Sequence, residues 1–214
     1  MKTTTLIFLS LLLSLSGLGH AQQDAAPSRL VARMMGDLMF LQIAPDKDAR
    51  RAAESRLDEL EALMTKTDRL SDKALWSMVE AMSRALHYLD KSNILGNDEM
   101  QKVLSSYENF FESNFLRTRK DAAFLILDLR FRYLARTAVS PYGLMTVPPL
   151  RNTIEDVQAD ADAAVTAEAR RQNNPSLQRD WNFLKRLVAQ YNSHPAPRMV
   201  ESLSLRLYQK SLTM

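Results

Sequence analysis

The sequence predicts an all-α protein that folds as a helical bundle, and three observations lead to this prediction. Only 5 of the 214 residues are glycine, and long stretches contain neither glycine nor proline. Alanine, leucine, arginine, glutamate and methionine, which all have high helix propensity, are abundant. Apolar residues recur every three or four positions, as they do on one face of a helix. With 46% hydrophobic and 25% charged residues, the composition is that of a folded globular protein.

Proline and capping residues delimit the first three predicted helices. The first covers residues 29–43, because the residue before Pro45 is disfavoured in helical conformation. Asp46 is placed to cap a second helix that reaches residue 67, and Ser71 is placed to start a third. The third helix carries the most regular apolar repeat of the chain, which is typical of bundle packing: Leu75, Val79, Met82, Leu86 and Leu89.

The central part of the chain, residues 97–139, allows two interpretations. It contains neither glycine nor proline and keeps helical phase throughout, and as one long central helix it would extend roughly 60 Å at 1.5 Å per residue. A break between Thr118 and Asp121 is equally compatible, because Asp121 could cap a new helix. The sequence alone leaves both interpretations open.

Further helices are predicted after a proline-containing loop at residues 140–149. Asn152, with Glu155 three positions later, resembles a capping arrangement that opens an acidic, alanine-rich helix. Asn174 and Pro175 form a cap and a first helical residue for the next one. We therefore expect two helices between this loop and the final segment.

The last segment, from Met199 to Lys210, carries two conflicting patterns. Leu203, Leu205 and Leu207 alternate as in a strand, whereas Val200, Leu203 and Leu207 fit one face of a helix. A helix is predicted, because no partner strand is evident elsewhere in the chain.

The two halves of the chain carry similar short segments in the same order. This repetition predicts two related four-helix units, residues 29–118 and 119–214, that share the long central helix. The alternative is a single irregular bundle. The matching segments are 29–33 with 132–136, Trp76 with Trp181, and Met100 and Leu104 with Met199 and Leu203.

The N-terminal residues have the pattern of a secretory signal peptide. Lys2 precedes an apolar run from Leu6 to Leu18 that is too short to span a bilayer, and a small-residue exit suited to cleavage ends at Ala21. We therefore expect a signal peptide over residues 1–21, a linker over 22–28, and a periplasmic or secreted product without stable membrane insertion. The chain has no cysteine and so forms no disulfide.

Composition and motif content argue against several classes of function. The formal charge of +3 is too small to predict a nucleic-acid or anionic-membrane partner. Outside the signal peptide the only histidines are His87 and His194, which leaves no metal-ligand motif and no general base for a serine nucleophile. Nucleophile elbows and phosphate-binding glycine loops are missing as well. We therefore expect a protein that is not an enzyme and needs no cofactor or metal.

Two arginine pairs are the candidate anion-binding residues. Arg29 and Arg33 lie one helical turn apart, as do Arg132 and Arg136, and like charges at this spacing repel each other. Carboxylates from the acidic helices or a small bound oxyanion would offset the repulsion, because a guanidinium fits the geometry of either group. The sequence predicts intramolecular pairing or an anion site at these four residues.

An aromatic stretch supplies the candidate partner-binding residues. This stretch contains more aromatic side chains than one apolar seam of a helix can hold, because Phe110 and Phe111 point in different directions. Its aromatic residues are Tyr107, Phe110, Phe111 and Phe115. Phe110 and Phe111 are therefore candidates for contact with a second copy of the chain or with another envelope protein. A wide core-facing stripe explains the same residues.

Short segments of both halves resemble a known family of receptors. Arg33-Met34, the Pro45-Asp46 hinge and the helix that follows are similar to the helical sensor segment of pilus-type methyl-accepting receptors and nitrate-responsive sensors. The arginine-rich stretch from Arg130 to Arg136, followed by Pro148-Pro149, is similar again. Neither half preserves the order of the family's arginine and glutamine signature. The resemblance implies a sensor-like module that binds a small anion.

Together these patterns predict an exported, non-enzymatic α-helical binding or adaptor protein of the bacterial cell envelope. The alternative prediction is a soluble module that binds a small oxyanion.

Overall fold

A computed structural model describes residues 27–44, 46–66, 72–92, 95–139, 150, 153–189 and 197–212, and all its regular elements are helices. The predicted all-α fold and its helical-bundle architecture are confirmed. The predicted signal peptide and most of the predicted linker lie outside these residues. Positions 27 and 28 belong to the first helix and are buried, so they are not linker. The helices are α1 (27–43), α2 (Lys47–Lys66), α3 (Lys73–Ser92), α4 (Asn97–Thr118), α5 (Ala122–Val139), α6 (Ile154–Arg171), α7 (Pro175–Ala189) and α8 (Pro197–Leu212).

Residues 97–139 form two helices, so of the two interpretations that the sequence left open, the break between Thr118 and Asp121 is confirmed and the long central helix is wrong. α4 ends at Thr118, and the Asp121 N–H donates to the Thr118 carbonyl across a tight turn at 3.0 Å. Asp121 then caps α5, because its Oδ1 accepts from the N–H groups of Ala123 and Phe124 at 3.1 and 3.2 Å. These bonds satisfy helix N–H groups that have no partner within α5, which makes the break stable.

Local caps set the starts of the other helices. Asp46 caps α2 through the Asp48 N–H at 2.8 Å, as predicted. Asn174 caps α7 as predicted, since its Oδ1 accepts from the Leu177 N–H at 3.2 Å. The cap of α3 is Asp72, whose Oδ1 accepts from the Leu75 N–H at 3.1 Å. The predicted cap of α3, Ser71, lies outside the described residues.

The capping box of α6 lies one residue later than predicted. Thr153 is the cap: its hydroxyl accepts from the Asp156 N–H at 3.1 Å, and its own N–H donates to Asp156 Oδ2 at 2.9 Å. Asn152 and its predicted role with Glu155 fall on a position that the structure does not describe. The final segment is the helix α8, as predicted.

α5 is the central helix of the fold. Its residues 122–135 are all buried, which is the behaviour of a helix covered on every side. α5 packs against α6 and α8, and α7 closes the ring by packing against both α6 and α8. α3 packs between α2 and α4. One continuous apolar core contains residues from all eight helices, so side chains of both halves meet in it.

The predicted boundary between two units falls in the turn between α4 and α5. Whether the two halves are related units stays a prediction. Within the described part of the chain, no helix has the length and apolar character required to cross a membrane.

Candidate functional site

Arg130 is a charged side chain at the centre of the core, where α1, α5 and α8 meet. Its side chain is 0% exposed. Its Nε and Nη2 donate to the Glu201 carboxylate of α8 at 2.5 and 2.6 Å, and Nη2 also donates to Asp37 Oδ1 of α1 at 2.6 Å. Nη1 donates to the carbonyl of Arg33 at 3.1 Å. The fork geometry of a guanidinium lets one buried side chain join three helices in this way.

A fourth helix joins this cluster through Asp37. The Nη1 of Arg56, on α2, donates to Asp37 Oδ2. Burial lowers the pKa of Arg130, but the charges of Asp37 and Glu201 outweigh burial and the pKa is raised. The pKa of Arg56 is lowered by burial, which the attraction of Asp37 opposes and the repulsion from Arg33 and Arg130 reinforces.

The arginine cluster therefore carries more positive than negative charge. Its cations are Arg33, Arg56 and Arg130, and its carboxylates are those of Asp37 and Glu201. Asp37 pairs with both Arg56 and Arg130, and Glu201 pairs with Arg130. Within the described residues Arg33 forms no ion pair. The Arg33 guanidinium lies 5.6 Å from the centre of the Tyr208 ring, and its Nε is buried without a hydrogen-bond partner. Arg33 is thus the cation whose charge the cluster leaves unbalanced.

A second buried polar network lies on the opposite side of α5, towards α4. Tyr107 donates its hydroxyl to Asp128 Oδ1 at 2.5 Å, and Arg132 Nε donates to Asp128 Oδ2 at 3.0 Å. Arg132 Nη2 also donates to Glu108 at 3.5 Å, and its guanidinium lies 5.5 Å from the Phe111 ring centre. Burial raises the pKa of Tyr107 well above its usual value, and the charge of Asp128 adds to the effect. This network joins α4 to α5.

The structure does not gather the four predicted anion-binding arginines into one site. Arg29 forms an ion pair with Asp121 at 2.8 Å, and Arg132 is held by the carboxylates of α4 and α5. Intramolecular pairing, one of the two predicted explanations, accounts for these two residues. Arg33 lies in the cluster with Arg130, and Arg136 is exposed at the other end of α5. An anion site at Arg33 stays a prediction.

Sequence reasoning missed Asp37, Arg56 and Glu201 as members of the cluster. One signal was available: Asp37 lies three residues after Met34 and one before Leu38, on the apolar face of α1. A charge on such a face requires a buried partner. The sequence does not identify that partner, because Arg130 is 93 residues away from Asp37 in the chain.

The structure corrects the expectation that Phe110 and Phe111 face a partner. Their exposure is 1% and 3%. The ring of Phe111 stacks on the ring of Phe124 of α5, with ring centres 5.9 Å apart. The ring centres of Tyr107 and Phe131 of α5 lie 4.7 Å apart. Tyr107 and Phe111 pack on α5 and Phe110 is buried in the core, so these residues form a wide core-facing stripe, which is the alternative that the sequence left open. The side chain of Phe115 is outside the described residues.

A groove along α7 is the candidate binding surface. It is open to solvent and has a volume of about 800 Å³. Most of its lining comes from α7 at spacings of three and four residues, which is one helix face. The lining residues are Gln158 of α6 and Pro175, Gln178, Arg179, Asn182, Lys185, Arg186 and Ala189 of α7.

The lining of the α7 groove carries positive charge, from Arg179, Lys185 and Arg186. Lys185 donates to Asp162 of α6 at 2.6 Å, and the Trp181 indole donates to the same oxygen at 2.7 Å. Arg186 lies 6.0 Å from the ring centre of Phe183, which is 40% exposed. The two hydrogen bonds to Asp162 fix α7 on α6, and Arg179 and Arg186 stay exposed to solvent.

Comparisons with protein-family models, curated proteins and solved structures found no match for this chain. Among the residues that the structure describes, no group of three or more histidine, aspartate or glutamate side chains is arranged to hold a metal ion. The function of this chain is therefore inferred from its own geometry.

Proposed function

We propose that this chain is an exported, non-enzymatic α-helical binding protein that acts as an adaptor in the bacterial cell envelope. The α7 groove carries the proposal, because it exposes one face of α7 with positively charged side chains, and none of the described residues that line it is acidic. The signal-peptide pattern of residues 1–21 supports export. The scarcity of histidine and the lack of cysteine support recognition rather than catalysis.

Site-specific photo-crosslinking in intact cells tests the adaptor role. A photoreactive amino acid replaces Asn182 inside the α7 groove, and in a control variant it replaces Glu59, which is exposed on α2. A protein adduct that forms from position 182 and not from position 59 would support a partner at the groove. An adduct from neither position would contradict the proposal. N-terminal sequencing of the periplasmic product tests export, with Gln22 expected as the first residue.

Binding of a small oxyanion is the second candidate function. It is favoured by Arg33, whose charge the arginine cluster leaves unbalanced and whose Nε lacks an acceptor. An oxyanion would supply both the missing charge and the missing acceptor. The resemblance of the Arg33-Met34 segment to nitrate-responsive sensors supports the same role.

Thermal unfolding with added nitrate, phosphate or sulfate tests this second function. One of these anions should raise the melting temperature of the parent chain and leave that of Arg33→Ala unchanged. Arg84→Ala, which removes an exposed arginine of α3, is the control and should respond as the parent does. If none of the three anions stabilises the parent, oxyanion binding fails.

A further inference from the structure

The dimensions of the α7 groove match a short extended peptide. From Pro175 to Ala189 its lining covers 14 helical steps, or about 21 Å at 1.5 Å per residue. An extended segment rises about 3.3 Å per residue, so six or seven residues cover the whole groove.

The charge of the groove selects for acidic side chains. Its lining contains Arg179, Lys185 and Arg186, and none of the described residues that line it is acidic. Asp162 pairs with Lys185, and Asp180 attracts Arg179 without forming a salt bridge with it, whereas Arg186 forms no ion pair within the part of the chain that the structure describes. Two guanidinium groups therefore remain for carboxylates of a bound segment, and their planar forks fit carboxylates in particular.

The hydrogen bonding of the groove selects for a peptide backbone. The Gln178 amide donates to Asn182 Oδ1 at 3.4 Å, while its own Oε1 is buried and has no donor. A buried acceptor without a donor is rare in folded proteins and destabilising. A backbone N–H would satisfy it. A carboxylate-bearing peptide supplies both this donor and the negative charge, whereas a simple oxyanion supplies only the charge.

We propose that the α7 groove binds an acidic segment of six or seven residues, in extended conformation, from the partner protein. This inference rests on the proposed adaptor function and names the chemistry of the partner. The carboxylates of the segment pair with Arg179 and Arg186, and one of its backbone N–H groups donates to Gln178. Apolar side chains of the segment lie against Phe183 at the edge of the groove.

Fluorescence anisotropy with a labelled peptide tests the inference on the purified chain lacking residues 1–21. The probe is a capped seven-residue peptide of alternating glutamate and leucine, and the matched peptide has lysine in place of glutamate. The glutamate peptide should bind more tightly than the lysine peptide, and its affinity should fall as salt is added, because exposed charges are screened.

Two variants locate the binding on the protein. Arg179→Glu/Arg186→Glu should weaken the glutamate peptide at least about tenfold, since each lost pair is replaced by a repulsion. Arg170→Glu/Arg198→Glu changes net charge by the same amount at exposed positions outside the groove lining and should retain most of the affinity. Equal weakening in both double variants would overturn the inference, since it would show attraction to net charge alone.

Gln178→Leu tests the backbone hydrogen bond separately from the charge. The residue is only half-buried, so the change should leave the fold intact and weaken the glutamate peptide about fivefold through loss of the acceptor. Unchanged affinity would overturn the proposed geometry. If crosslinking finds a partner at position 182 but neither peptide binds, the acidic-segment inference fails and the adaptor function stands. If the peptide binds but crosslinking finds no partner, the adaptor function fails.

Discussion

The guanidinium of Arg130 occupies the space in which a side chain at position 36 would lie. A Cβ on Gly36 would approach Arg130 Nη1 to 2.5 Å and Cζ to 2.8 Å. Arg130 cannot move aside easily, because Asp37, Glu201 and the Arg33 carbonyl hold its guanidinium. The absence of a side chain in the middle of α1 thus allows the buried arginine to reach its partners.

We therefore predict that Gly36→Ala destabilises the protein by about 1–3 kcal/mol, as overpacking a core does. This loss occurs although alanine has the higher helix propensity. Chemical denaturation measures the free energy of unfolding. Gly96→Ala is the control, because the nearest atom to its Cβ is the carboxylate end of Glu99 at 3.2 Å, which can move. If the two variants are equally stable, the close contact at Arg130 does not constrain α1.

Arg130→Met should reduce the free energy of unfolding by about 3–5 kcal/mol, because Asp37 and Glu201 lose their shared buried cation. Adding Glu201→Gln to this variant should restore part of the loss by removing one uncompensated charge. Arg84→Met breaks an exposed pair with Glu80 and should cost no more than about 1 kcal/mol. Similar losses in Arg130→Met and Arg84→Met would show that the buried cluster contributes little.

The raised pKa of Tyr107 predicts loss of stability at alkaline pH. The folded protein keeps this buried hydroxyl protonated at pH values where the unfolded chain, with an ordinary tyrosine pKa near 10.0, releases the proton. The stabilising contribution is complete below that value and decreases as pH rises above it. Urea denaturation between neutral and alkaline pH should therefore show a shallower pH dependence for Tyr107→Phe than for the parent. If the stability of the parent and of Tyr107→Phe depends on pH in the same way, the Tyr107 hydroxyl does not have the raised pKa that its burial predicts.

The lowered pKa of Asp162 predicts that the protein loses stability at acidic pH, whereas Tyr107 acts at alkaline pH. Hydrogen bonds from Lys185 and Trp181 lower the pKa of its carboxyl below the ordinary value of 3.8. Its contribution is complete above that value and is lost as pH falls through the lowered pKa. Asp162→Asn should thus be less stable than the parent at neutral pH, and the difference should shrink towards pH 3. Lys185→Met should produce the same trend. A difference that stays constant with pH would refute this role.

Local sequence determined most helix boundaries of this protein. Asp46, Asn174 and Asp121 cap helices because a short side chain satisfies N–H groups two or three residues away, an interaction contained within a few residues. The same locality explains the ambiguity at residues 97–139, since an uninterrupted helix and a capped break satisfy the same backbone groups. The sequence alone places the cap of α6 one residue too early, because both Asn152 and Thr153 can cap a helix.

Tertiary structure alone decided which charged and aromatic residues are buried. Phe110 and Phe111 are both buried because α4 packs along α3 and its aromatic rings also contact α5, an arrangement that no pattern within α4 specifies. Arg130 meets Glu201 across 71 residues and Asp37 across 93, so only the packing of α1 and α8 on α5 brings them together. A helix pattern shows which face is apolar, but the partner of a buried charge depends on which helix covers that face.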